Sequence, residues 1–180
     1  MLFGQNIYLR GLELSDVPEL MKHWNNRELK QFLNIIAPQS IQEEEQWIRN
    51  TWIERKNGNS YVFGVCLVET DLYIGNIEVR ILDKISRRGN VGISIFNPNY
   101  WSKGHGTEAI GLILDYSFTT LNLHSAELEV FSNNPRAQRC YEKNGFRKTG
   151  VRREALFRDG KYIDIFLLDI TKKEWNNLNS

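Results

Sequence analysis

Val91-Gly92-Ile93-Ser94-Ile95-Phe96-Asn97-Pro98-Asn99-Tyr100-Trp101-Ser102-Lys103-Gly104-His105-Gly106-Thr107-Glu108-Ala109 decides the fold of this chain. An apolar strand runs into an Asn/Pro turn, then a Gly-x-Gly turn, and residues 107–121 continue at helical spacing. Glycines carry no side chain, so successive backbone N–H groups can converge on an anion. The start of the helix adds its own unpaired N–H groups and the positive end of its dipole at the same point. A lone Gly-x-Gly is usually only a turn. Set between a strand and a helix, it reads as a phosphate cradle.

Working outward, residues 7–12 alternate as a short strand. Ser15-Asp16-Val17-Pro18-Glu19 starts a helix, with Ser15 or Asp16 as its cap, which runs to about Asn26. Ser40-Ile41-Gln42-Glu43 fits a capping box ahead of Trp47, Ile48 and Trp52, and Asn57-Gly58-Asn59 ends that second helix. Residues 61–68 and 72–82 form a β-hairpin across Glu69-Thr70-Asp71. A strand over 125–131 and a helix over 134–144 follow, with Gly145 in the terminating position. Residues 146–158 and 161–170 pair as a hairpin across Asp159-Gly160. Without repeats or a linker, residues 1–180 read as one α/β domain, a mixed sheet with helices on both faces.

The composition is that of a globular protein: 180 residues, 41% hydrophobic and 25% charged. A formal net charge of +1 argues against a general nucleic-acid or membrane binder. Cys66 and Cys140 lack paired spacing and read as reduced thiols, and His23, His105 and His124 are scattered, so no metal site is expected. No apolar run reaches spanning length and no leader is evident, which together point to the cytoplasm.

A second motif lies downstream: Leu128-Glu129-Val130-Phe131-Ser132-Asn133-Asn134-Pro135-Arg136-Ala137-Gln138-Arg139-Cys140-Tyr141-Glu142-Lys143-Asn144-Gly145-Phe146. Asn134, Ala137, Tyr141 and the closing Gly145-Phe146, together with the upstream cradle, resemble the GNAT superfamily of acetyl-CoA-dependent N-acetyltransferases. The resemblance covers nearly the whole chain and implies that family's mostly antiparallel central sheet. The run Tyr100 through Ala109 looks most like the ribosomal-protein alanine acetyltransferase subgroup, a style shared with polyamine and amino-sugar acetyltransferases. Many members place Gln or Arg where this chain has Trp101, a departure that bears on the subgroup only.

The resemblance implies acetyl-CoA as co-substrate and a primary amine as acceptor, with no nucleic acid, membrane or metal, in a monomer or homodimer. Backbone groups of Ser94, Ile95 and Phe96 would bond the pantetheine arm and the thioester carbonyl, stabilising the oxyanion. Ser102, Lys103, Gly104, His105, Gly106 and Thr107 would hold the pyrophosphate, and Asn134 the pantetheine. Lys103, Arg139 and Lys143 are either adenosine-phosphate ligands or solvated surface charges.

Two proton transfers remain. An amine, with a pKa of about 8 for an α-amine and about 10.4 for lysine, must lose a proton before attack, and the departing thiolate leaves faster if protonated. The motif assigns the second proton to Tyr141, whose plain alternative is a core aromatic. Glu129 points away from Leu128 and Val130, so it is a candidate base or an exposed strand glutamate, and Glu78 is the second candidate by the same alternation. Glu43-Glu44-Glu45 near Trp47 either attracts a cationic amine or complements the helix dipole. The N-terminal helices and the final hairpin are expected to set acceptor choice.

Two other classes compete. Gly104-His105-Gly106-Thr107-Glu108-Ala109 fits a dinucleotide fingerprint, but seven residues separate Phe96 from Gly104 and no second βαβαβ half follows. A non-catalytic acyl-CoA-binding module would need no proton donor, and Tyr141 argues against it.

Overall fold

Strand propensity and alternation from residue 60 onward build the middle of a single sheet in the computed structural model, which describes residues 1–33, 35 and 37–179. Its strands are β1 (Leu2–Phe3), β2 (Ile7–Arg10), β3 (Ser60–Leu67), β4 (Tyr73–Asp83), β5 (Arg88–Ile95), β6 (Ser125–Phe131), β7 (Arg147–Arg158) and β8 (Lys161–Thr171). They lie in the order β1-β2-β3-β4-β5-β6-β8-β7. Every neighbouring pair is antiparallel except β5 and β6, which run parallel. The expected mixed, mostly antiparallel sheet is the one observed.

The helices are α1 (Val17–Trp24), α2 (Arg27–Lys30), α3 (Ile41–Lys56), α4 (His105–Asp115), α5 (Pro135–Lys143) and α6 (Lys172–Leu178). The larger core gathers Ile7, Leu9, Ile77, Val91, Ile110, Ile113, Leu128, Tyr141 and Ile170 beneath α4 and α5. The smaller core, with Leu20, Leu29, Ile48, Tyr73 and Phe96, lies on the other face under α1, α2 and α3. Alternation along each strand sends its side chains to these two cores in turn.

Several boundaries differ from expectation, each with a local cause. The first helix begins as a 3-10 turn at Leu14–Asp16, because Glu13 and Asp16 form a reciprocal capping box and Arg10 pairs with Asp16 at 2.7 Å. Asn26 does not simply end α1: its side chain accepts from the Glu28 N–H and opens α2. The helix expected to reach residue 121 is α-helical only to Asp115, and residues 116–120 form a π turn. There Ser117 and Thr119 donate their hydroxyls to the Ile113 and Asp115 carbonyls, competing with the helical ladder. The short β1 and the terminal α6 were not expected. Thr171 and Glu174 form a capping box for α6, a signal present in the sequence.

Among the described residues no helix is long and apolar enough to cross a membrane.

Candidate active site

The parallel pair β5–β6 holds register only through Arg88↔Ser125, Gly89↔Ala126 and Asn90↔Glu127. At the last rung the Asn90 side chain donates to the Glu127 carbonyl at 3.2 Å, and beyond it the strands separate. From residue 91 on, one edge of β5 therefore faces a gap instead of a neighbour. A cavity of about 400 Å³ fills the gap.

Antiparallel pairing decides which groups face it. The Phe96 N–H donates to the Ile74 carbonyl at 3.1 Å, and Ser94 and Gly92 share its parity opposite Asn76 and Glu78. Ile95 and Ile93 therefore turn their backbone groups toward the gap. The Ile95 carbonyl is taken by the Trp101 indole N–H at 2.6 Å, which leaves the Ile95 N–H for a ligand. The backbones of Ser94 and Phe96 are corrections to the sequence reading: both face β4, and although Ser94 still lines the cavity, Phe96 is fully buried in the smaller core, its N–H occupied, and does not. Gly75 is required by this arrangement and was missed, since a Cβ there would lie 2.5 Å from the Ser94 carbonyl oxygen.

The cradle is built from irregular backbone. Asn97 caps a turn over Pro98–Tyr100, Ser102 lies at φ +60°, and Gly104, at φ +92°, is the N-cap of α4. With no side chain capping this terminus, the first N–H groups of α4 are open to an anion. Ser102, Gly104, Gly106 and Thr107 line the cavity, whereas Lys103 and His105 do not. Lys103 lies over the Tyr100 ring, and the half-buried His105 packs on the same ring with Nδ1 unpartnered among the described residues. Burial holds the His105 imidazole below its usual pKa, against the pull of Glu108. Glu108 serves elsewhere, accepting from the Asn6 N–H at 2.8 Å and the Asn6 side chain at 3.0 Å to latch the turn between β1 and β2.

The opposite wall is α5. Asn134 caps it by accepting the Ala137 N–H at 3.1 Å, and its side-chain N–H groups have no partner among the described residues at the cavity lining. Asn144 donates to the Thr107 and Cys140 carbonyls at 3.1 and 2.9 Å, bolting α5 to the first turn of α4. Sequence reading missed this strut. Tyr141 is 6% exposed, packs edge-on to Phe146 and reaches the cavity, and no described group hydrogen-bonds its hydroxyl. Burial pushes its phenol well above the usual range, with Cys140 adding to the effect, so it stays protonated throughout the neutral range.

Glu129 lines the same cavity from the other face of the sheet. Leu128 and Val130 enter the larger core, so Glu129 projects toward the side of α2, where it is paired through Oε1 with Arg152 at 2.6 Å. Tyr141 belongs to the α4–α5 face, and the split between the strands brings the two groups to one cavity. Glu78 is held apart. It bonds Arg80 at 3.0 Å and lines a second recess with Trp47 and Glu54. Glu43 is spent on the cap of α3, while Glu44 is 5% exposed. Arg139 and Lys143 line the cavity beside Cys140.

A sheet split at one parallel pair, with an uncapped helix terminus and a tyrosine helix on its flanks, defines a class of acyl-CoA-dependent transferases. The sequence matches the Acetyltransferase (GNAT) domain family over residues 6–147, and the chain belongs to that family. It is 32% identical to the spermidine N(1)-acetyltransferase of Vibrio cholerae over 174 residues, 97% of this chain and 98% of that protein. It is also 32% identical to the probable N-acetyltransferase YjcK of Bacillus subtilis, over 94% of this chain and 96% of the relative. The crystal structure of spermidine N-acetyltransferase from Vibrio cholerae in complex with CoA and spermine superposes with a TM-score of 0.85 at 29% identity, covering 97% of this chain and all of that one. The chain is an N-acetyltransferase.

Proposed function

We propose that this N-acetyltransferase moves the acetyl group of acetyl-CoA to a primary amine by direct attack, both substrates being bound together. The carrying observation is the split between β5 and β6, with the free Ile95 N–H on its edge, Tyr141 on one face and Glu129 on the other. The residues present fit the donor. The open α4 terminus with Ser102, Gly104, Gly106 and Thr107 suits a pyrophosphate, and the Asn134 amide suits the amides of the pantetheine arm. Arg139 and Lys143 suit the adenosine phosphate.

In this reading the Ile95 N–H stabilises the oxyanion that forms as the amine attacks the thioester carbonyl. Glu129 takes the amine proton, directly or through water, through Oε2 while Arg152 holds Oε1. Tyr141 gives its proton to the departing sulfur. Delivery from one face and removal on the other keep the two proton transfers from short-circuiting.

The acceptor is a protein N-terminus or a small amine. The run from Tyr100 through Ala109 supports the ribosomal-protein alanine subgroup, while the Vibrio cholerae relative supports a polyamine. Thiol release from acetyl-CoA against N-terminal peptides, polyamines, amino sugars and aminoglycosides tests the reading. CoA binding without thiol release for any amine would leave only a binding module.

A further inference from the structure

Trp101, the residue at which this chain departs from many GNAT members, holds a second group besides the Ile95 carbonyl. The guanidinium carbon of Arg136 lies 3.8 Å from the centroid of the Trp101 ring and 5.3 Å from that of Phe32, and these two rings meet edge to face. Stacking on an aromatic face leaves the N–H groups of a guanidinium free, because they point outward in its own plane. None of them is hydrogen-bonded and none is ion-paired to a described residue, and Arg136 lines the cavity. It faces α2 beside Leu29 and Phe32, on the side from which Glu129 enters. Burial lowers its pKa, with Glu28 acting the other way, so its charge is held where solvation is poor and an anion would be welcome.

The surrounding charge points the same way. The only carboxylate lining the cavity among the described residues is Glu129, already paired with Arg152, while Arg136, Arg139 and Lys143 are cationic. A polycation finds little to bind there. A fixed, forked, unspent guanidinium matches the two oxygens of a carboxylate.

Resting on the acetyltransferase reading above, we propose that Arg136 determines acceptor specificity by gripping a carboxylate, so that the acceptor is a free amino acid, its amine at Glu129 and its carboxylate on the Trp101-backed guanidinium. Leu29, Phe32 and Leu33 offer an apolar surface to its side chain.

The test compares acceptors with and without that carboxylate: phenylalanine with phenylalanine amide, and lysine with cadaverine. Wild-type kcat/KM for thiol release should favour the carboxylate-bearing member about tenfold to hundredfold. Arg136→Met, which keeps an apolar stem on Trp101, should erase that preference, and Arg136→Lys should restore it in part. Calorimetry gives a readout independent of turnover. Phenylalanine binding to the CoA-saturated protein should weaken at least tenfold in Arg136→Met, with CoA affinity unchanged. Equal use of both members by the wild type, a preference for spermidine, or an Arg136→Met defect confined to CoA binding would overturn the proposal. Phenylalanine that binds through Arg136 while neither it nor any other amine releases thiol would sink the acetyl-transfer reading and leave the anion site standing.

Discussion

Tyr141 packs its ring in the core, while its hydroxyl reaches the cavity and has no hydrogen-bond partner among the described residues. Removing the hydroxyl should therefore leave folding intact and act on chemistry alone. Tyr141→Phe is expected to lower turnover by about 10²–10⁴ while the melting temperature stays within a degree or two, read by thiol release and calorimetry. Glu129 is partly exposed to water. Glu129→Gln should flatten the acidic limb of the pH–rate profile between pH 6 and 9.5, and an unchanged profile would move the base elsewhere, Glu78 being next. Glu44 titrates against stability instead. Burial raises its carboxyl pKa above the ordinary 4.5, with Glu43 adding to this and the Trp24 N–H opposing it. A folded-state pKa above the unfolded value favours folding of the protonated form, so the contribution is present at low pH and lost as pH rises through the raised value. Glu44→Gln should thus raise the melting temperature near pH 7 and give no advantage below pH 4.5.

Among the elements, α4 and α5 do most to define the site, and their termini matter more than their lengths. Gly104 takes a left-handed conformation that other residues adopt only with strain, and it turns the chain so that the N–H groups of α4 face the gap. Gly106 has room for a Cβ, 3.7 Å from the Cys140 sulfur and 4.0 Å from Ile93, so a larger side chain there would fold but would occupy the cavity. Gly106→Val should weaken CoA binding at least tenfold, about 1.4 kcal/mol, with little change in melting temperature. Unchanged CoA affinity by calorimetry would remove the pyrophosphate from this turn. The cradle was legible because its determinants are local: glycines, a turn and a helix start. The Asn144 strut and the close approach that demands Gly75 were not, since each depends on an element distant in sequence.

At the scale of the molecule, the two regions expected to set acceptor choice are joined. Arg158, at the end of β7, donates to the Lys30 and Leu33 carbonyls at 2.7 and 2.9 Å, and Arg27 lies 3.5 Å from Asp159. The β7–β8 hairpin therefore clasps the segment carrying Leu29, Phe32 and Leu33, which lines the cavity on the side proposed for the acceptor. Arg158→Met should raise KM for the amine severalfold and leave KM for acetyl-CoA alone, because the donor half rests on α4 and α5. Equal changes in both would mean that the clasp supports the fold as a whole and not the acceptor side.

The sequence by itself determined the family, the order of the main elements and the place of the Gly-x-Gly turn between a strand and a helix. Hydrophobic alternation, capping residues and glycine punctuation act over a few residues and leave their mark in the order of the chain. It also placed Glu129 on the face opposite Leu128 and Val130, since the period of a strand is fixed. Only the tertiary structure decided which backbone groups of β5 are free, because that depends on the pairing that gives the Phe96 N–H to Ile74. Only it separated Glu78 from Glu129, and only it stacked Arg136 on Trp101. Those three outcomes arise from contacts between segments far apart in the chain, where the geometry is set by how the sheet splits and by no local pattern.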